Sequence, residues 1–324
     1  MCTAITFKTR DSYFGRNLDY EQNFGESLAI CPRNFPFIFT NGKKLDKHFA
    51  ILGVALINEN YPLFFDAMNE KGLGMAGLNF VHNAHYFKNK EEKINVAQFE
   101  FIPFILSQAS SVREARELLK NINITDVPFM GKIPPSELHY LLSDGVNSLT
   151  IEQTIDGLHV YENPLGVLTN NPPFPTQLFL LNQYMSLSNK NPENKFNKSV
   201  SLETYSRGMG AIGLPGDLSS TSRFAKVAFT KNFSLCNNDE NSSVSQFFHI
   251  LNSVEQQRGA AEVKEGEFEI TQYATCYNLN KKICYYRTYD KWSISGIKLD
   301  EKYVNKTKLI SYPMRAKEEY KIEN

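Results

Sequence analysis

Residues 1–20 read MCTAITFKTRDSYFGRNLDY, and the fold turns on what Cys2 is doing there. The run Cys2–Thr9 alternates as a strand does, and "DSYFG" (11–15) reads as the turn that sends the chain back. Two readings of Cys2 compete. In one it is a small apolar residue that opens the first strand. In the other Met1 is removed, and Cys2 carries a thiol (reference pKa about 8.5) and a free α-amine (about 7.7–8.0) on one Cα. A protonated thiol is a poor nucleophile, and an amine fixed beside it is a base that can take its proton. Such a centre still needs a cation to favour thiolate, an anion to hold the amine, and donors for an oxyanion.

Outward from this stretch, composition narrows the function classes. The chain has 324 residues, 42% of them hydrophobic, which is enough for one large domain. Lys+Arg and Asp+Glu balance at 35 each, so neither nucleic acid nor an anionic membrane is the expected partner. No apolar run approaches the roughly 20 residues of a membrane span. The first twenty residues carry Lys8, Arg10, Asp11, Arg16 and Asp19, unlike a secretory leader. The expectation is a cytoplasmic protein. Five cysteines without a C-x-x-C, Cys276 and Cys284 among them flanking a polar turn, indicate neither a disulfide framework nor a zinc site. No metal or cofactor is expected.

The pattern along the chain runs strands, helices, strands, helices, strands. "HFAILGVALI" (48–57) is a buried-strand run, and "YPLFFDAMNEKGLGMAGLNF" (61–80) reads as a hairpin around Asn69-Glu-Lys-Gly. Helical spacing follows in 97–110 and 110–123, the second with a capping box of Ser111 and Glu114. Strand patterns return over 137–170, and 171–206 is a polar, Asn- and Pro-rich excursion read as an extended loop or arm. Helices over 220–233 and 243–259 and strands over 268–299 complete the chain. This order fits two sheets with segregated helix layers better than βαβ units.

Two stretches match G-x-G-x-x-G: Gly72, Gly74 and Gly77, and Gly208, Gly210 and Gly213. The first leads into a strand and the second into Leu-Pro-Gly, so both read as turn glycines rather than phosphate cradles. His82 and His85 lack a third ligand at a sensible spacing. No serine-hydrolase or zinc-protease motif is present.

"MCTAITF…YFGRNLDY", "YPLFFDAMNEKGLGMAGLNF", "FEFIPFILSQ", "NPLGVLTNNP", "SRGMGAIGLPGDLSSTSRF", "SQFFHILNSVEQQ" and "YYRTYD" together resemble the choloylglycine hydrolases, conjugated bile acid hydrolases among the N-terminal nucleophile hydrolases. The resemblance covers nearly the whole chain in order. It implies an α+β fold, an αββα four-layer sandwich with two antiparallel sheets between helix layers. It implies one domain over 1–324 with Met1 removed, a homotetramer, and an oligomerisation arm around 171–206. By the same resemblance Cys2 is the nucleophile and its freed amine the base. Arg16 and Asp19 bias the thiol and hold the amine, Asn79 and Asn170 are oxyanion positions, and Arg223 lies near the thiol. The implied substrates are glycine- or taurine-conjugated bile salts, with Leu18, Phe65, Phe129, Ile133 and Leu138 lining the steroid pocket. Penicillin V acylases and N-acyl homoserine lactone acylases share the implied fold. The former commonly carry tyrosine at the first oxyanion position, so Asn79 favours the bile salt branch. An inactive bile-salt-binding protein is the remaining alternative. Tyr140 departs from the pattern, since relatives commonly have tryptophan there.

Overall fold

The computed structural model describes all residues from Met1 to Asn324. The opening stretch forms two paired strands, β1 (Cys2–Lys8) and β2 (Ser12–Tyr20). Their turn lies at residues 9–11 rather than at "DSYFG", because Tyr13, Phe14 and Gly15 are needed inside the strand. The remaining principal strands are β3 (Ser27–Cys31), β4 (Ile51–Asn58), β5 (Tyr61–Asn69), β6 (Gly74–Asn79), β7 (Leu138–Ser143), β8 (Ser148–Thr154) and β9 (Gly157–Glu162). They are followed by β10 (Val167–Leu168), β11 (Ile270–Asn278), β12 (Ile283–Thr288), β13 (Lys291–Lys298) and β14 (Ile310–Pro313). The helices that cover them are α1 (Phe101–Leu106), α2 (Val112–Leu119), α3 (Phe174–Leu180), α4 (Ser220–Phe233) and α5 (Glu240–Asn252).

These strands make two antiparallel sheets. One has six strands in the order β10-β1-β2-β11-β12-β13, the other eight in the order β9-β8-β7-β6-β5-β4-β3-β14. Strand alternation gives each sheet two apolar faces, and both are covered. A cluster of 36 buried residues fills the space between the sheets and beneath α4 and α5, joining Phe14, Leu52, Met68 and Leu78 to Phe224 and Phe247. A second cluster of 27 lies on the far face of the eight-stranded sheet, where Phe101, Phe104 and Ile105 of α1 pack on Leu73, Met75 and Tyr140. The layers are therefore helix, sheet, sheet, helix, as expected.

Several local expectations change. The 171–206 excursion is not all loop, since Phe174–Leu180 is helical. Ser111 caps α2 by accepting from Glu114 N at 3.3 Å, but the Glu114 carboxylate turns to Ser110 N and Oγ, so the box does not close as expected. Cys276 and Cys284 are both buried and free, and each pairs in register with a tyrosine, Tyr285 and Tyr277, rather than with the other. Tyr140 is fully buried, edge-on to Phe101, with its hydroxyl accepting from Gln98 Nε2 at 3.2 Å. The smaller ring is thus accommodated with its polar tip satisfied.

Gly15 shows why β2 has its sequence. A Cβ there would lie 2.0 Å from the Thr275 carbonyl oxygen of β11, so the two strands can approach only over a glycine. Gly15→Ala is expected to lose about 2 kcal/mol or more of stability in urea unfolding. Gly216→Ala, where a methyl meets nothing within 4 Å, should stay within about 0.5 kcal/mol of the parent.

Candidate active site

The site is assembled around the end of β1. Register pairs Cys2 with Leu18 and Ala4 with Arg16, and residues directly opposite in an antiparallel ladder share a face. Cys2, Leu18 and Arg16 therefore point into the space between the sheets. Arg16 crosses that space, donating from Nη1 to the Gly77 carbonyl and, at 3.4 Å, to the Phe65 carbonyl. The other face of the same hairpin carries Thr3, Asn17 and Asp19, and looks toward the helices. Asn17 Nδ2 donates to Leu251 O of α5 at 3.0 Å.

Arg223, in the first turns of α4, meets this second face. Its Nη1 donates to the Cys2 carbonyl at 2.5 Å and to Thr3 Oγ1 at 2.7 Å. Its Nη2 donates to Asn170 Oδ1 at 2.8 Å, and its Nε to the Leu218 carbonyl at 2.9 Å. The turn ahead of α4 is held by the Asp217 carboxylate, pulled down to about 2 by hydrogen bonds from Ser219 and Ser222. Asn170 follows β10. Its Oδ1 also accepts from Cys2 N at 2.7 Å, and its Nδ2 donates to the Asn79 carbonyl at 2.8 Å. Two donors on Oδ1 and an acceptor on Nδ2 fix the orientation of this amide. Asn79 ends β6 half-buried, and its own side-chain amide makes no hydrogen bond within the chain.

Asp19 is the buried anion of the site. Thr271 Oγ1 donates to its Oδ1 at 2.6 Å, Arg223 Nη1 lies 3.9 Å from its Oδ2, and Oδ2 has no hydrogen-bond partner. Met1 covers this corner. Its amine donates to the Asp19 carbonyl at 2.8 Å and touches the Glu269 carboxylate, while Asp19 N donates to the Met1 carbonyl at 3.0 Å.

Desolvation is the dominant force on these groups, and opposite charge answers it. Burial pushes Asp19 up, against the downward pull of Arg223, the terminal amine, the Thr271 hydroxyl and Arg16. Burial lowers Arg223, opposed by Asp19 and Cys2. For Arg16 burial also acts downward, but Cys2, Tyr273, Asp66 and Asp19 together outweigh it and the net shift is up. The Met1 amine is lowered, chiefly by burial. Arg16 Nη2 is buried without a partner.

The structure thus brings together Cys2, Arg16, Asp19, Asn79, Asn170 and Arg223. Leu18 lies beside Cys2, Phe65 offers its carbonyl to Arg16 and stacks on Phe24 (5.9 Å between centroids), and Leu138 pairs with Asn79. Phe129 and Ile133 pair with each other, and Phe129 packs on Tyr61 and Phe99 instead. Sequence reading missed Thr271, and also Asp66, which accepts from Tyr273, Tyr277 and Thr275 between the sheets. The available signal for Asp66 was one acidic residue in the apolar run "PLFFDAM".

A buried cysteine at a strand terminus in an αββα sandwich, beside two buried arginines, an aspartate and two asparagines, is the architecture of the N-terminal nucleophile hydrolase fold. A family model for linear amide C–N hydrolases, choloylglycine hydrolase family, matches residues 2–312. The bile salt hydrolase/transferase of Lactiplantibacillus plantarum is 50% identical over 320 residues, 99% of each chain. A mutant conjugated bile acid hydrolase from Clostridium perfringens, known by crystal structure, superposes with a TM-score of 0.93 at 38% identity over 100% of both chains. Penicillin V acylase from Agrobacterium tumefaciens shares the fold, with a TM-score of 0.76 at 17% identity over 97% of this chain and 92% of its own. The chain belongs to the choloylglycine hydrolase family of linear amide C–N hydrolases.

Thr271 offers a test of the Asp19 environment. Thr271→Val removes the hydroxyl that favours the ionised carboxylate, and should lower stability by about 1–3 kcal/mol at neutral pH. Because that bond favours the charged form, the deficit should narrow as falling pH protonates Asp19. Urea unfolding of both proteins across a pH series reads this directly.

Proposed function

We propose that, once Met1 is removed, the chain hydrolyses the amide of glycine- or taurine-conjugated bile salts, with Cys2 as nucleophile and its α-amine as base. The observation that carries this reading is the short bond from Cys2 N to Asn170 Oδ1, a nitrogen held ready within a ring of opposite charges. Loss of Met1 turns that nitrogen into an amine, and the buried Asp19 carboxylate, whose Oδ2 is unpartnered, is the counter-ion we assign to it. Arg16 Nη2, equally unpartnered and on the same face as Cys2, is the cation for the thiolate.

The reaction follows in two halves. The amine takes the thiol proton, and sulfur attacks the amide carbon. The oxyanion is met by the free side-chain amide of Asn79 and the remaining N–H of Asn170. The ammonium passes its proton to the departing glycine or taurine nitrogen, leaving a thioester. Water then gives a proton to the amine, attacks the thioester and restores the thiol as the free bile acid leaves. Leu18, Phe65 and Leu138 are apolar surface beside the reacting atoms that suits a steroid. Phe129 and Ile133 would extend that surface from their own loop.

We also propose that the chain works as a single domain and assembles as a homotetramer through the arm at 171–206. Phe179, Met185, Phe196, Val200, Leu202 and Tyr205 are all exposed on this segment, an apolar concentration that a partner subunit would bury. A cytoplasmic site of action agrees with five free cysteines.

Cys2→Ser is expected to leave unfolding unchanged and to remove at least roughly a thousandfold of turnover. Intact mass should show that only chains lacking Met1 turn over. Faster turnover of penicillin V than of glycocholate and taurocholate would replace the substrate assignment.

A further inference from the structure

His139 and Glu152 lie side by side on β7 and β8, one position beyond the register pair Tyr140–Ile151, and both are wholly buried. His139 Nδ1 is 3.0 Å from Glu152 Oε1, and Nε2 is 2.8 Å from the Thr169 carbonyl. Glu152 Oε1 also accepts from Phe174 N at 3.0 Å. An oxygen that takes the Phe174 N–H is an acceptor, and so is a backbone carbonyl. Nε2 of His139 therefore donates to the Thr169 carbonyl, and Nδ1 is hydrogen-bonded to the Glu152 carboxyl group.

These bonds grip the segment that carries Asn170 at both ends. Glu152 holds its exit at Phe174. His139 holds its entry, and at a telling place: the Thr169 carbonyl and the Asn170 N–H belong to one rigid peptide group. Ser220 Oγ accepts from that N–H at 2.8 Å. With both sides of the plane fixed, the direction in which Asn170 leaves the backbone is fixed too. The imidazole also stacks on Phe80, with centroids 4.3 Å apart and planes 7° from parallel. Phe80 directly follows Asn79, so a single ring braces the neighbours of both asparagines. Neither His139 nor Glu152 bonds to Cys2, Arg16, Asp19 or Arg223.

We infer that His139, held by Glu152, is a positioning residue for the reaction, setting Asn170 through the Thr169 carbonyl and bracing Asn79 through Phe80. The inference rests on the amidase reading above, and it makes the accuracy of the oxyanion pair a property of a buried histidine–glutamate pair in the second sheet. A ring that keeps the stack but lacks donors, as in His139→Phe, should release the peptide plane. His139→Gln restores one donor toward Thr169.

The test is glycocholate kinetics on the full chain lacking Met1, with His139→Phe, His139→Gln, Asn170→Ala and the double variant His139→Phe with Asn170→Ala. His139→Phe is expected to lower kcat on the order of a hundredfold, with KM within about threefold. His139→Gln should recover about tenfold of that loss. The double variant should be no slower than Asn170→Ala within about threefold, since the phenylalanine ring keeps the stack on Phe80 and the lost donors no longer have an Asn170 amide to set. Losses that multiply in the double variant, or a His139→Phe enzyme within threefold of the parent, would overturn the inference. A crystal structure of His139→Phe gives a readout independent of turnover. Asn170 bonds to Cys2 N and Asn79 O that are retained there would also overturn it. Failure of the parent itself to cleave glycocholate would instead strike the amidase reading, and the crystal structure would still decide the role of His139.

Discussion

Two guanidinium groups and two carboxylates, Arg16, Arg223, Asp19 and Asp66, sit with no exposure at the junction of the two sheets and the helix layer. A charge withdrawn from water is tolerated only with a partner and with its hydrogen bonds met. Much of the surrounding chain is arranged to meet that demand. Tyr273, Tyr277 and Thr275 aim hydroxyls at Asp66, Thr271 aims one at Asp19, and carbonyls of Gly77, Phe65, Leu218 and Cys2 receive the arginines. Those bonds run between strands, helices and loops far apart in sequence, so they also fix the layers against one another. What they leave unmet are Arg16 Nη2 and Asp19 Oδ2, the two atoms to which the proposed mechanism gives work.

The pleat does the sorting. Arg16 and Asp19 are three apart in β2, which puts them on opposite faces of the sheet. Cys2 lies at the strand end, where both faces can be reached, so a cation arrives from between the sheets while an anion and a second cation arrive from the helix side.

Much of this was legible in the sequence, and the legible part shares a cause. The 61–80 hairpin and the β7 and β8 strands are largely buried and read as apolar runs, and helix α4 shows apolar residues at helical spacing, so the local pattern alone reveals them. Where two distant segments set the local structure together, the signal disappears. "DSYFG" looks like a turn because glycine and a polar start are turn residues, yet Gly15 is there for Thr275, far along the chain. Helix α3 was hidden by the Asn- and Pro-rich flanks around it. The family likeness supplied Cys2 and the five residues around it, but it could not supply Thr271, Asp66, His139 or Glu152. Each is a polar residue in an ordinary strand pattern, and its partner is known only once the strands are paired.

The six-stranded sheet places residues from the two ends of the chain side by side, with β2 flanked by β1 and β11. During synthesis Cys2 is among the first residues to emerge, whereas Arg223 and Thr271 emerge late. Until then the Cys2 thiol has Arg16 near it in sequence but lacks Asn170 and Arg223, which belong to the second half of the chain. If Cys2 reacts as proposed, its reactivity waits for the closing strand, and the order of translation itself keeps the growing chain chemically quiet until it can fold.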